Sequence, residues 1–424
     1  MPHRSAAIAF VLSILICLAP WAMGPLTARA EDDLAPLVAR VSALAGRIDK
    51  SDAGKLVAID LSNRPATDDD LKLIAAATDL QKLTIWGPGI TDAGIEHLAP
   101  LVHLTDLGLD NTMVTDAGLA KLAPLANLKT LVLQRSIEVT DDGLVPVGKL
   151  PNLTYLTLLY TRVTDAGLVH LQNAKNLRLL DLRGSKITDD GLANVSGMST
   201  LVGLKTRTAS ITDAGVAHLA GMKGLHSLAL EDAKLTDAGL APLTGLTNLD
   251  DLDLMRVPVT NAGMKSLAPL VKLRQLILRG TYLSDDGLAN LGGMRQLRKL
   301  DLSETGVGSD GMAQLAGLTE LTWLNLWNTL VGDEGVKHLA ALPKLDNLNL
   351  DNSAVTDAGL VDVAKMPHLS TLSLNGTAVT DAGLANLQAT KSLRSLSVKL
   401  SPVTPAGVAA LQAAHPEIKV DYDH

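Results

Sequence analysis

Aromatic side chains are nearly missing from this 424-residue chain: they make up 2% of it, and the single phenylalanine, Phe10, stands close to the N-terminus. Since 47% of the residues are hydrophobic, any core has to be aliphatic. Cysteine is scarcer still. Cys17 is the only one, which excludes an internal disulfide and a zinc thiolate cluster. Basic residues number 37 against 45 acidic, a formal charge of −8, and so acidic a chain is a poor match for nucleic acid or an anionic membrane surface. There is no phosphate-binding loop, and no serine or cysteine nucleophile motif.

The N-terminus holds His3 and Arg4, then an apolar run from Ala6 to Trp21, then Ala28, Arg29 and Ala30 before Glu31 and Asp32. Small residues three and one before Glu31 read as a secretory signal over residues 1–30, cut after Ala30. The rival reading is an uncleaved anchor, because the apolar run is only slightly shorter than the roughly 20 residues that a spanning helix needs. Ile16 before Cys17 is too large for a lipoprotein site. Cleavage removes Arg4 and Arg29, leaving 35 basic against 45 acidic residues and a charge of −10. The expected location is the periplasm, the cell envelope or the medium.

What the chain has in abundance is a repeat. Gly94, Gly118, Gly143 and Gly167 begin a series that continues to Gly407 in steps of 24 residues, broken by one step of 25 before Gly143. Within one unit, Leu107 and Leu109 alternate with Asp106, Gly108 and Asp110, as in a strand with one buried face. Asn111 and Thr112 turn the chain and Val114 re-enters the core. Thr115 and Asp116 then open a short helix that carries Leu119, Leu122 and Leu125, the threonine placed as a cap and the acid suited to the positive end of the helix dipole. Gly118, lacking a Cβ, allows a neighbouring coil to come close. A fixed period in the twenties means a solenoid whose units cannot fold alone. Leu34, Leu37, Val38, Val41, Leu44 and Ile48 follow helical spacing between Asp32 and Ile48 and predict an N-terminal capping helix within residues 31–55, with the first strand near Val57–Leu61. Residues 56–424 form about 15 repeats, closed by a last strand at Lys419–Asp423.

The run L-x-x-L-x-L-x-x-T-x-V-T-D-x-G-L-x-x-L resembles a leucine-rich repeat, of the subtype that carries I-T-D-x-G-L, from about Leu56 to the C-terminus. It departs from that subtype in its 24-residue units and in threonine or serine, as at Thr112, Thr161, Ser185, Thr281 and Thr377, where asparagine or cysteine is usual. It has no F-box, so no ubiquitin-adaptor role follows. The resemblance implies an α/β arc or horseshoe with a parallel sheet on the concave face, short helices on the convex face, and binding by the concave side.

Two columns invite metal chemistry. His97, His170, His218 and His338 share a helix position, but the closest two are two coils apart, about 10 Å, which is the pattern of solvated helix histidines rather than ligands. Asp92, Asp116, Asp141, Asp165, Asp189, Asp213 and Asp237 should stack about 5 Å apart, which suggests calcium. They lack the calcium-repeat signature and read instead as flanking helix starts. No metal or cofactor is expected. A glycosidase would need two carboxylates about 5 to 9 Å apart, a spacing that Asp251 and Asp253 meet only crudely, and the chain reads as a non-enzyme.

Binding belongs on the outward strand positions, where Trp86, Trp323, Trp327 and Tyr155 fall. An aliphatic core has no need of these rings, so they mark a contact surface. Trp323, Asn325 and Trp327 lie together, flanked by Lys299 and Asp301 on one side and by Asn347, Asn349 and Asp351 on the other. A second cluster joins Tyr155 and Leu159 to Arg183, Lys205 and Arg207, which either meets an acidic partner or balances Asp181 and Glu231. The leading expectation is a monomeric, exported scaffold for an unidentified protein ligand. The alternative is a polysaccharide, held by Trp323 and Trp327 and the neighbouring amides.

Overall fold

The computed structural model describes residues 26–422. The leader read over residues 1–30 therefore lies mostly outside the described residues. Among the described residues seventeen strands form one open sheet, and strands that follow one another in sequence lie side by side, parallel in every pair but the first. Each 24-residue period makes one coil: a strand, a turn, a short helix and a return. Leu107, Leu131, Leu156 and Leu180 stand in register. The inward leucines are almost wholly buried along the whole array, so every coil depends on its neighbours for its core.

The glycine column is tied to the aspartate column one coil earlier. Asp92 does more than flank its own helix. Its Oδ1 accepts the Thr115 backbone N–H at 2.8 Å and its Oδ2 the Thr115 hydroxyl at 2.6 Å. The same pair of bonds recurs from Asp116 to Thr140, Asp165 to Thr188, Asp213 to Thr236 and Asp357 to Thr380. A Cβ on Gly118 would overlap Asp92 Oδ1, so glycine is required there by close approach rather than by a positive φ. Both ends of this ladder are closed. Thr67, with no preceding coil, is satisfied by Asp70 of its own capping box, and Pro405 takes the position where a further aspartate would have nothing to bind.

After most strands one residue adopts the left-handed conformation, as at Asn111, Arg135, Tyr160, Arg256, Asn328 and Leu400. Asparagine suits that region and the others occupy it under strain. The extra residue of the 25-residue step is absorbed here. Ile137 is pushed out, 55% exposed, while the flanking strands Thr130–Gln134 and Tyr155–Leu159 keep all five pairs in register. Thr206, in a leucine column, is fully buried and its hydroxyl donates to the Ala229 carbonyl at 3.1 Å.

The N-terminal cap differs from the expected single helix. Helix α1 (Leu26–Ala43) ends early, and strand β1 (Arg47–Lys50) runs antiparallel to β2 (Leu56–Thr67). Ile48 is therefore a strand residue, facing Ile59. The break falls where Ala45 is left-handed and where a Cβ on Gly46 would collide with Leu61 and Val41. Leu37 and Val41 are buried, and Arg40 is bound to Asp70, Nε to Oδ1 at 2.6 Å. Among the described residues no helix is long and apolar enough to cross a membrane.

Candidate functional site

The concave face carries three outward side chains per coil, and the middle one is often acidic or an amide. Where it is Asp or Asn, the side chain turns back. Asp181, Asp253, Asp301, Asn325 and Asn349 each accept, through Oδ1, the backbone N–H two residues on. Each of these coils has a three-residue strand, as do those with Ile277, Ser373 or Ser397 in the middle, whereas those with Gly108, Val132, Thr157, Lys205 or Ala229 have five. The amides of Asn325 and Asn349 are thus partly committed to the fold. Asp351 is committed too, its two oxygens accepting the Asn375 backbone N–H at 2.7 Å and Nδ2 at 3.0 Å.

Trp323 stands between Lys299 and Asn347, as its register requires, and its ring is half-buried. Trp327 does not share its strand. The strand ends at Asn325, and Trp327 begins the turn that follows, its N–H held by Asn325 Oδ1 at 3.1 Å. The Arg279 guanidinium lies 5.0 Å from the centre of the Trp327 ring, a cation–π contact. Arg279 comes from two coils earlier, and Ser303, at the same position of the coil between, is fully buried. Its Nε donates to Glu304 Oε2 at 2.6 Å, so the cation that covers the ring is itself fixed.

Arg279 and Ser303 were not singled out from sequence, although 279, 303 and 327 are one period apart. Trp86 is half-buried opposite Asp110, and Tyr155 is 44% exposed opposite Thr130 and Leu179.

Of the two readings of the basic cluster, the ion pairs describe internal balance. Arg183 binds Asp181, Nη2 to Oδ2 at 2.7 Å, and reaches Glu231 two coils on at 3.4 Å. Arg207 binds Asp232 at 3.0 Å, and Lys205 stands between them, half-buried. Hydrogen bonding to Asp181 chiefly holds the Arg183 guanidinium in its charged form. Next to this network Asp253 is pushed up to about 6, by burial first and then by the charges of Glu231 and Asp251. Asp251 Oδ2 accepts from Ser227 Oγ at 3.0 Å, and its buried Oδ1 has no partner. Along the aspartate column both oxygens are taken by the next coil, and no group of three or more metal-ligating side chains is assembled among the described residues.

A family model described as a leucine-rich repeat region matches residues 116–364, more than half of the chain, and a second, a leucine-rich repeat, matches 365–387. The chain is a leucine-rich repeat protein. No curated protein matches its sequence. Among solved structures this leucine-rich repeat protein is similar to an internalin of Listeria monocytogenes, InlF, with a TM-score of 0.52 and 22% identity, covering 87% of this chain and 94% of that one. A leucine-rich repeat protein of Leptospira interrogans gives a TM-score of 0.56 and 20% identity over 84% and 95% of the two chains. The functional domain of Listeria InlJ, which includes a cysteine ladder, gives 0.51 and 21% over 86% and 73%. At these identities the likeness is one of fold.

Proposed function

We propose that this leucine-rich repeat protein is an exported, non-catalytic scaffold that binds a protein partner through its concave face, with Trp323 and Trp327 as anchors. The observation that carries the reading is the Trp327 ring, half-exposed on a face that needs no aromatic and held in place by Arg279 and Glu304. A ring fixed before binding loses little freedom on binding, and aromatic anchors beside arginine are the usual centres of protein contacts. The internalin-like fold supports an interaction scaffold. The side-chain commitments of Asn325, Asn349 and Asp351 leave few free groups for sugar hydroxyls.

The test pairs stability with capture. The full chain and its Trp323→Ala and Trp327→Ala variants are presented to a cross-linked envelope extract of the source cell. Both variants should melt with the parent and each should weaken capture of the same partner by about 1 to 2 kcal/mol. Retained capture by both variants, or melting far below the parent, sinks the assignment.

A further inference from the structure

A second surface lies on the flank of the solenoid, where each coil leaves its turn and re-enters the core. In the first half of the array this position is mixed, with Met113, Glu138, Arg162, Lys186, Ser210 and Lys234. From Pro258 onward its character changes. Pro258, Tyr282, Gly306, Leu330 and Ala354 follow one another, and the position stays apolar to Pro402. All of these residues are exposed, Tyr282 and Leu330 each 70%. Four consecutive backbone bridges tie these coils, Thr260 to Tyr282, Ser284 to Gly306, Gly308 to Leu330 and Gly332 to Ala354. The side chains therefore sit at strand spacing, and two large ones flank a notch at Gly306.

A row of acids accompanies the same three coils. Four residues further on, in the first turn of each following helix, stand Asp286, Asp310 and Glu334, all exposed. Glu334 pairs with Lys337, while Asp286 and Asp310 enter no ion pair. The corresponding residues of the adjoining coils are Ala262 and Ala358, so the apolar notch and the acidic row occur together and only here.

We propose that this flank is a docking surface for a basic amphipathic helix of a protein partner, lying along the solenoid axis. The spacing selects a helix. Tyr282 and Leu330 are two coils apart, about 10 Å at strand spacing, and residues i and i+7 of a helix are separated by about 10.5 Å. An extended strand repeats its side chains every 6.6 to 6.8 Å or so, which fits neither one coil nor two. A helix turn of about 5.4 Å follows the coils closely enough for one side chain, at i+3 or i+4, to enter the Gly306 notch. Asp286 and Asp310 then face the helix margin and select lysine or arginine there.

The experiment uses the full chain and a designed fluorescent peptide of about 20 residues, long enough to span the stripe as a helix. It has leucine at i, i+3, i+4 and i+7 with flanking lysines, and a control peptide has glutamate for every lysine. Fluorescence anisotropy should show binding of the lysine peptide and none of the control, weakening as salt rises. Tyr282→Ser with Leu330→Ser should raise Kd by about tenfold or more. Asp286→Lys with Asp310→Lys should raise it by about fivefold. The Tyr282 and Leu330 pair should not move the melting temperature, since both side chains are outside the core, and the Asp286 and Asp310 pair should lower it only slightly, through the lost acids at two helix starts. Trp323→Ala should leave peptide binding unchanged, which separates this surface from the concave site. Failure of the lysine peptide to bind, equal binding of both peptides, or indifference to both variant pairs overturns the proposal. So does concentration-dependent dimerisation of the parent that the Tyr282 and Leu330 pair abolishes, since the stripe would then serve a second copy.

Discussion

Replacing a helical glycine by alanine ordinarily stabilises a protein by about 0.5 to 1 kcal/mol; at Gly239 the sign should reverse. Gly239 lies in the helical segment Asp237–Gly245, and an added Cβ would overlap Oδ1 of Asp213, one coil earlier, and come within 2.7 Å of its Cγ. The next nearest atom, Leu235 Cβ, is 3.3 Å away, a tight contact but not an overlap, so the main conflict is with the carboxylate. That carboxylate accepts the Thr236 N–H at 2.8 Å and its hydroxyl at 2.6 Å. Moving it breaks two charge-assisted bonds, each worth about 1.5 kcal/mol at the low end that suits an exposed rung. Less the helical gain, Gly239→Ala should cost about 2 kcal/mol. The decisive measurement is a double-mutant cycle in urea. Asp213→Ala should cost about 3 kcal/mol by the same bonds, and in that background Gly239→Ala should become neutral or mildly stabilising, a coupling of about 2 to 3 kcal/mol. A Gly239→Ala protein as stable as the parent, or additivity across the cycle, would show that the glycine column does not serve the aspartate ladder.

Asp253 offers a pH test. Its carboxyl titrates near 6 in the folded chain, above the ordinary 3.8, because burial opposes its charge. The folded state therefore holds its proton longer, and stability should fall as pH rises from about 4 to 6 and stay lowered above. Asp253→Asn keeps the acceptor for the Met255 N–H and should raise stability by up to about 3 kcal/mol at pH 7.5 and by nothing near pH 4; a pH-independent difference refutes the cause. Chelator and reductant should leave the melting curve of the protein unmoved, and a large drop with chelator would revive calcium in the aspartate column. Protein recovered from its source cell should have an intact mass that begins at Glu31, whereas one retaining Phe10 favours the anchor.

The sequence determined by itself everything that repeats. The 24-residue period set the coil, the leucines set which face is buried, and a last strand at Lys419–Asp421 followed from the same register. Those features are legible because each depends on residues within one unit. What the tertiary structure decided lies between units. Asp213 and Gly239 are 26 positions apart, and neither shows in sequence that one forbids a side chain on the other. The sequence left Arg183 open between an acidic partner and balance with Asp181 and Glu231, and the stacked coils bring Glu231, two coils on, within its reach. Trp327 looked like a strand residue, whereas it stands in the turn after the strand with its N–H held by the Asn325 side chain. The N-terminal cap kept helical spacing through Ile48, yet the close approach of Gly46 to β2 made that end a strand. Stacking coils about 4.8 Å apart brings side chains one and two periods away as near as sequence neighbours, so the site's electrostatics and the freedom of its side chains emerge only in the assembled solenoid.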